Sequence, residues 1–188
     1  MDRCKVGVIG CGDISRVYLH SLTQVFRNTQ VVAVSSRGGE SARRRAAEFD
    51  IPYAVSTEEL LAMEFDIVVI LTDPVSHFRL AEQALLAGKH TYVEKPLAAT
   101  TAEAAHLLTL AREKNLMLTC APDTLLGGGI QTCRKLIDNG LIGTPVASVG
   151  QTFNGGPESW HPNPFFLYQK GAGPLYDVGP YYIGGILY

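Results

Sequence analysis

The sequence predicts a doubly wound α/β domain on a parallel sheet, followed by the start of a second domain. Short apolar runs rich in β-branched residues alternate with helical patterns up to residue 122. These runs are nearly continuous, which is typical of strands covered on both faces of a sheet. A glycine-rich turn directly follows the first run. Such alternation favours parallel strands joined by helical crossovers.

The expected elements follow in chain order. The predicted strands are Val6–Ile9, Val31–Ser35, Ile67–Thr72, Thr91–Glu94 and Met117–Cys120. The predicted helices are Ile14–Phe26, Glu40–Phe49, Glu58–Met63, Val75–Ala87 and Thr101–Asn115. Gly88 is well placed to end the fourth helix, and Thr100 with Glu103 has the spacing of a capping box before the fifth.

Composition changes near residue 122, and this change predicts a domain boundary. Of the 19 glycines, 13 lie from Gly127 onward, where charged residues are few. We expect residues 1–122 to form the first domain and residues 123–188 to begin a second, truncated one. Within it we predict a helix at Gln131–Asn139, a strand at Val146–Phe153 and an apolar helix at Asp177–Tyr188.

Charge and composition exclude several classes of protein. The 188 residues carry 16 basic and 18 acidic side chains, and 46% of them are apolar. This composition is that of a folded protein, and the absence of a basic run argues against nucleic acid or an acidic membrane as partner. Neither a membrane span of about 20 residues nor a signal peptide is indicated, so we expect a cytoplasmic protein. The cysteines and histidines lack metal-binding spacing, and we expect no metal.

The glycine-rich turn predicts a dinucleotide site. Gly10-Cys11-Gly12-Asp13-Ile14-Ser15 gives G-x-G-x-x-S between the first strand and the first helix. Gly10 would allow the tight turn, Gly12 would let backbone approach a pyrophosphate, and Ser15 is small enough for helix–strand packing. Asp13 and Ile14 open the helix, whose first N–H groups would face the phosphates.

The tip of the second strand bears on the choice of cofactor. No carboxylate follows it; Ser36 and Arg37 stand there instead. A carboxylate would bind the ribose 2′-hydroxyl and repel a 2′-phosphate, whereas a hydroxyl and a guanidinium can donate to that phosphate. The sequence therefore favours NADP over NAD. The alternative is that Arg37 is an ordinary surface charge.

Three segments together resemble the glucose–fructose oxidoreductase, inositol dehydrogenase and MocA (Gfo/Idh/MocA) family. They are Leu71-Thr72-Asp73-Pro74-Val75-Ser76-His77, Glu94-Lys95-Pro96 and Asp177-Val178-Gly179-Pro180-Tyr181. The resemblance implies a Rossmann dinucleotide-binding domain, then an α/β (α+β) domain whose open sheet binds substrate and forms a homo-oligomer in the full-length protein. It also implies that Thr72, Pro74 and His77 lie beside the cofactor, although His77 could equally be a packing residue at a helix start.

Lys95 has a chemical reason to lie in an active site. Glu94 and Lys95 end a parallel strand at the carboxyl edge, where open α/β sheets bind ligands. Lys95 could bond a substrate hydroxyl there, and Pro96 would set the turn, with a cis peptide bond as one option. The alternative is an exposed lysine in a strand-to-helix turn.

Asp177 and Tyr181 are four residues apart, so one helix would place them on one face. The resemblance implies that Tyr181 stands where other members carry a catalytic histidine; the alternative is that Tyr181 is an ordinary core or boundary aromatic. A phenol has a pKa near 10, and lowering it by about 3 for work at neutral pH costs about 4 kcal/mol. An ammonium group about 4 Å away supplies about that much at an effective dielectric constant near 20, so Lys95 is required. Asp177 would orient a substrate hydroxyl, or would only be the helix N-cap.

Trp160 and His161 lie in a proline-rich loop before this helix and are candidates to line a sugar site. A loop anchored by a buried tryptophan explains them equally well. The combined hypothesis is an NADP-dependent oxidoreductase, with NAD as the other cofactor option, acting on a secondary alcohol of a sugar, cyclitol or related polyol. The alternatives are a non-catalytic dinucleotide- or sugar-binding regulator, or an inactive truncated family member.

Overall fold

A computed structural model of the chain describes residues 3–122, 124–153, 155–159, 164–169 and 172–188. Its centre is a six-stranded sheet in the order β3-β2-β1-β4-β5-β6. Every neighbouring pair of strands is parallel. The strands are β1 Cys4–Ile9, β2 Thr29–Ser35, β3 Tyr53–Val55, β4 Ile67–Ile70, β5 His90–Val93 and β6 Leu118–Cys120. This order confirms the doubly wound Rossmann fold.

The helices connect successive strands and continue beyond β6. They are α1 Ser15–His20, α2 Glu40–Phe49, α3 Thr57–Ala62, α4 Pro74–Leu86, α5 Thr101–Glu113, α6 Gly128–Asp138, α7 Pro174–Asp177 and α8 Gly179–Leu187. The long first helix predicted at 14–26 is divided into α1 and a wider π-helical segment at Ser21–Val25. Short 3₁₀ turns occupy Thr124–Leu126 and Pro164–Tyr168.

The core lies on both faces of the sheet, as the continuous apolar strands predict. Successive residues of β4 alternate between the faces: Val68 and Ile70 belong to one apolar cluster, and Val69 belongs to the other. Leu80 of α4 and Leu107 of α5 pack into the first cluster, and Leu19 of α1 into the second. Both faces of such a strand are therefore buried, and its sequence does not alternate between apolar and polar residues.

Two local signals are confirmed. The Thr100 hydroxyl accepts from the Glu103 amide at 3.2 Å, and the Glu103 carboxylate accepts from the Thr100 amide at 3.0 Å, which makes a complete capping box. Gly88 follows α4 with a φ of 76°, a left-handed conformation that glycine adopts without a steric penalty.

The strands differ from the prediction at two places: one strand was missed and one predicted strand is wrong. β3 was not predicted, because a three-residue edge strand is too short to show a period. The strand expected at Val146–Phe153 is absent from the described residues of that range, which have no regular structure and are exposed. A strand needs a neighbour to take its backbone hydrogen bonds, and no described strand pairs with this segment.

The apolar helix expected at 177–188 is also different. Asp177 ends α7, and Val178 is the residue that precedes α8, so the alternative that Asp177 is only the helix N-cap is wrong. Pro180 accounts for the break: it has no N–H to donate to the carbonyl of residue 176, and its ring would clash there. It is tolerated in the first turn of α8, where intrahelical partners are missing anyway.

We expect Thr100→Ala to lower the free energy of unfolding by about 1 kcal/mol, since it removes the side-chain acceptor of the α5 capping box. Urea denaturation followed by circular dichroism measures this change. Thr101→Ala, one residue later and exposed, is the matched control and should cost nothing, because alanine is the better helix former. Equal losses in both variants would contradict the capping role.

Candidate active site

The carboxyl ends of β1 and β4 form the crevice where the strand order reverses. Gly10 directly follows β1, and Leu71 directly follows β4. Gly10 has a φ of 105°, and a Cβ added to it would lie 2.6 Å from the Leu71 carbonyl carbon and oxygen. Glycine is therefore required for both the turn and the close approach of the two chains. Ligands of open α/β sheets bind at this kind of position.

The second glycine of the turn faces open space. A Cβ added to Gly12 would meet nothing within 4 Å, and Asp13 and Ile14 beside it are exposed. Ser15 is buried, and its hydroxyl donates to the Gly12 carbonyl at 2.5 Å. An exposed turn at a helix start, with a glycine that leaves room for a ligand, fits the pyrophosphate of a dinucleotide.

Ser36 and Arg37 directly follow β2, at the same carboxyl edge of the sheet as the glycine-rich turn. The Ser36 hydroxyl accepts from the Ala42 amide in the first turn of α2, at 3.1 Å. A hydroxyl that accepts a hydrogen bond still carries its own proton to donate. Arg37 is exposed. A role of these two side chains at a 2′-phosphate stays a prediction.

His77 links two of the predicted motifs. It is buried in the first turn of α4, which Pro74 begins. Its Nε2 lies 2.8 Å from the Thr72 carbonyl oxygen, and its Nδ1 lies 2.6 Å from the Pro96 carbonyl oxygen. Both ring nitrogens are thus engaged with backbone, and His77 ties the turn after β4 to the loop after β5. Its side chain therefore supports the two loops, which agrees with the packing alternative, and a place beside the cofactor stays a prediction.

Glu94 is held by a tyrosine that sequence reasoning missed. The Tyr18 hydroxyl, on α1, donates to Glu94 Oε1 at 2.8 Å and lies 3.2 Å from the Tyr92 hydroxyl. The other Glu94 oxygen accepts from the Lys95 amide at 2.9 Å. Burial, followed by these bonds to Tyr92 and Glu94, raises the pKa of Tyr18 far above its ordinary value. Tyr18 therefore keeps its proton and stays a hydrogen-bond donor that holds the Glu94 carboxyl group in place.

The structure brings Lys95 together with Asp177, 82 residues later in the sequence, and with Tyr181. Lys95 Nζ donates to Asp177 Oδ1, and the same nitrogen lies 5.7 Å from the centroid of the Tyr181 ring. The Lys95 side chain is 17% exposed and that of Asp177 is 33% exposed. The Lys95–Pro96 peptide bond is cis. An ammonium, a carboxylate and a phenol thus share one half-buried corner at the carboxyl edge.

Two cysteines near this edge are poor nucleophiles. Burial is the main cause that raises the pKa of Cys11 to about 11 and that of Cys120 to about 12. Both thiols are therefore protonated at neutral pH, whereas thiol catalysis needs the thiolate. Neither thiol is therefore a candidate nucleophile.

Some expectations fall outside these contacts. Trp160 and His161 lie outside the described residues. Across the described ranges, no group of His, Cys, Asp or Glu side chains could hold a metal ion. Over the same part of the chain, every helix is too short or too polar to cross a membrane.

The comparisons with known proteins agree with this architecture. Residues 4–121 match the family model of GFO_IDH_MocA, described as an oxidoreductase family with an NAD-binding Rossmann fold. The match covers the whole sheet, the glycine-rich turn and the Glu94-Lys95-Pro96 segment. The chain belongs to this family.

Individual relatives extend the likeness beyond the sheet. The chain is 32% identical to an uncharacterised oxidoreductase of Schizosaccharomyces pombe, C26H5.09c, over 97% of the chain and 50% of the relative. It is 34% identical to the dTDP-3,4-didehydro-2,6-dideoxy-alpha-D-glucose 3-reductase of Streptomyces violaceoruber, over 94% of the chain and 52% of the relative. The chain spans about half the length of the curated relatives it matches.

A solved structure is similar in both sequence and fold. It is KijD10, a 3-ketoreductase from Actinomadura kijaniata in complex with NADP. The TM-score is 0.70 at 33% identity, and the alignment covers 76% of this chain and 46% of KijD10.

The two glycines of the turn should separate stability from binding. We expect Gly12→Ala to leave the free energy of unfolding within about 0.5 kcal/mol of the wild type, since its Cβ enters open space, and to weaken NADPH binding about 10-fold or more by blocking the approach to the pyrophosphate. Intrinsic NADPH fluorescence and urea denaturation measure the two effects.

Gly10→Ala is the companion variant, and its main effect should be a loss of stability. Its Cβ would strike the Leu71 backbone, so we expect a loss of at least about 2 kcal/mol in the free energy of unfolding. If Gly12→Ala bound NADPH as tightly as the wild type, the turn would not be the phosphate site.

Proposed function

We propose that the protein carrying this chain is an NADP-dependent oxidoreductase that interconverts a secondary alcohol and a ketone on a sugar, cyclitol or related polyol. The observation that carries this proposal is the meeting of Lys95, Asp177 and Tyr181 at the sheet edge that also holds the glycine-rich turn. Charged and phenolic groups placed beside a dinucleotide site are what alcohol oxidation requires.

The residues of the crevice fit the cofactor. Gly12, Asp13 and Ile14 would hold the pyrophosphate, and Ser36 with Arg37 would hold the ribose 2′-phosphate. When bound, the nicotinamide supplies or accepts the hydride. KijD10, which was solved with NADP, supports the choice of NADP, with NAD as the second option.

In this proposal Tyr181 exchanges the proton of the substrate hydroxyl. The Lys95 ammonium beside its ring favours the phenolate, because a positive charge a few ångströms away stabilises a negative one in a half-buried site. Asp177 holds that ammonium in place. An Asp177 oxygen would also accept a hydrogen bond from a substrate hydroxyl. This bond would orient the reacting carbon without a change in the charge of the site.

The relatives favour a sugar as the substrate. The 3-reductase of S. violaceoruber takes a deoxysugar joined to a nucleoside diphosphate, and KijD10 is also a 3-ketoreductase. A nucleotide-linked keto sugar is therefore the first substrate class to test. The boundary between residues 122 and 123, a role for Trp160 and His161, assembly as a homo-oligomer and a cytoplasmic location stay predictions.

Loss of the phenol or the ammonium should abolish turnover while cofactor binding survives. We expect Tyr181→Phe and Lys95→Met to lower kcat by about 100-fold to 10,000-fold, the range of general acid–base catalysis. Turnover is followed as loss of NADPH absorbance with nucleotide-linked keto sugars, and in the reverse direction with inositols and NADP.

Tyr182→Phe is the matched control, because Tyr182 is the exposed neighbour of Tyr181 on α8. It should keep wild-type turnover. If the wild type binds NADPH and a sugar but turns over no member of the panel, the non-catalytic regulator is the better account. Full turnover in Tyr181→Phe would remove that residue from the mechanism.

The NADP preference should depend on Arg37. We expect Arg37→Ala to weaken NADPH binding about 10-fold and to leave NADH binding unchanged, since only NADPH carries the 2′-phosphate. Arg112→Ala, at the exposed end of α5, is the charge-matched control and should affect neither ligand. Equal weakening of both ligands by Arg37→Ala would contradict the assignment.

A further inference from the structure

A buried arginine reaches the glycine-rich turn from the neighbouring helix. Arg45 lies in α2, and only 5% of its surface is exposed. Its Nη2 donates to the Gly12 carbonyl at 3.1 Å, and its Nε donates to the Ser15 hydroxyl at 3.1 Å. Its Nη1 donates to Glu48 at 2.6 Å, and the same carboxylate pairs with Arg16 of α1 at 2.8 Å.

These contacts give Arg45 a supporting role and not a ligand-binding one. Buried charges in proteins are normally paired and hydrogen-bonded, and Arg45 meets both conditions through Glu48 and the turn. All three nitrogens of its guanidinium are engaged with protein groups. It therefore acts on the site through the backbone it holds.

The held group is the Gly12 carbonyl, and its direction matters for binding. A trans peptide is planar, so the Gly12 C=O and the Asp13 N–H point in opposite directions. Arg45 and Ser15 both donate to this carbonyl and keep it turned toward the protein. The Asp13 N–H is consequently turned away from α2, at an exposed residue beside the open space at Gly12.

We propose that Arg45 is a positioning residue of the dinucleotide site, which fixes the Gly12–Asp13 peptide so that the Asp13 N–H faces the pyrophosphate. This inference rests on the proposed dinucleotide binding and adds a residue outside the glycine-rich motif. It also gives the serine of G-x-G-x-x-S a function: the Ser15 hydroxyl is the relay through which Arg45 Nε joins the turn.

The test compares a ligand that has a pyrophosphate with one that has none. Arg45→Met should weaken NADPH binding about 10-fold, measured by NADPH fluorescence on the chain of 188 residues. Binding of adenosine 2′-monophosphate, measured by calorimetry, should stay within twofold. Arg45→Lys should fall between Arg45→Met and the wild type, because lysine keeps one charged donor. Arg44→Met, the exposed neighbour on α2, is the matched control and should bind NADPH as the wild type does.

Ser15→Ala is a smaller change that tests the same carbonyl if Arg45→Met folds poorly. Ser15→Ala should weaken NADPH binding a few-fold. The double variant with Arg45→Met should bind NADPH within twofold of Arg45→Met alone, because both residues act on the same carbonyl group. NADPH binding in Arg45→Met or Ser15→Ala equal to the wild type would overturn the inference. So would equal losses for NADPH and adenosine 2′-monophosphate, which would mark a general structural role. Failure of the wild type to bind NADPH would instead overturn the proposed function.

Discussion

Four backbone hydrogen bonds of one kind hold the functional edge of this protein. In each, the first amide after a strand donates to the last carbonyl of the neighbouring strand, so that the segments after β1, β4, β5 and β6 start at one level. The donor and acceptor pairs are Gly10 and Ser35, Leu71 and Ile9, Glu94 and Ile70, and Ala121 and Val93, at 2.7–3.0 Å. Parallel strands make this repetition possible, because their carboxyl ends share one edge. Residues far apart in sequence can therefore meet there without any local motif joining them.

The sequence was informative wherever one strand or helix carried its own signal. Continuous β-branched runs predicted strands buried on both faces, and β4 shows both faces covered. The capping box at Thr100 was also visible, because its bonds are local. The segment 146–153 shows the limit of such reasoning: β-branched residues favour a strand, but a strand forms only where a neighbour accepts its hydrogen bonds. Local propensity says nothing about that neighbour.

In the candidate site too, local features could be predicted from the sequence and contacts between distant residues could not. Gly10 and Gly12 could be predicted because a turn and a close approach are local demands on a backbone. The Tyr18–Glu94 bond joins residues 76 apart, and the Arg45–Gly12 bond joins residues 33 apart; neither spacing has a pattern that a single sequence shows. Ser15 was the available clue. A serine in place of the usual small apolar residue brings a buried hydroxyl, and a buried hydroxyl needs a partner.

The corner formed by Lys95, Asp177 and Tyr181 combines two opposed electrostatic demands. A phenol that gives up its proton needs a nearby positive charge, but a half-buried ammonium without a counter-ion is costly. The Asp177 carboxylate removes that cost by pairing with Lys95, and in doing so it weakens the field at Tyr181. The two demands are reconciled if a bound substrate hydroxyl donates to Asp177, because this bond spreads the carboxylate charge and returns part of the ammonium's field to the phenol. The ion pair would then hold Lys95 in place before binding, and a larger part of the ammonium's field would act on Tyr181 once a substrate is bound.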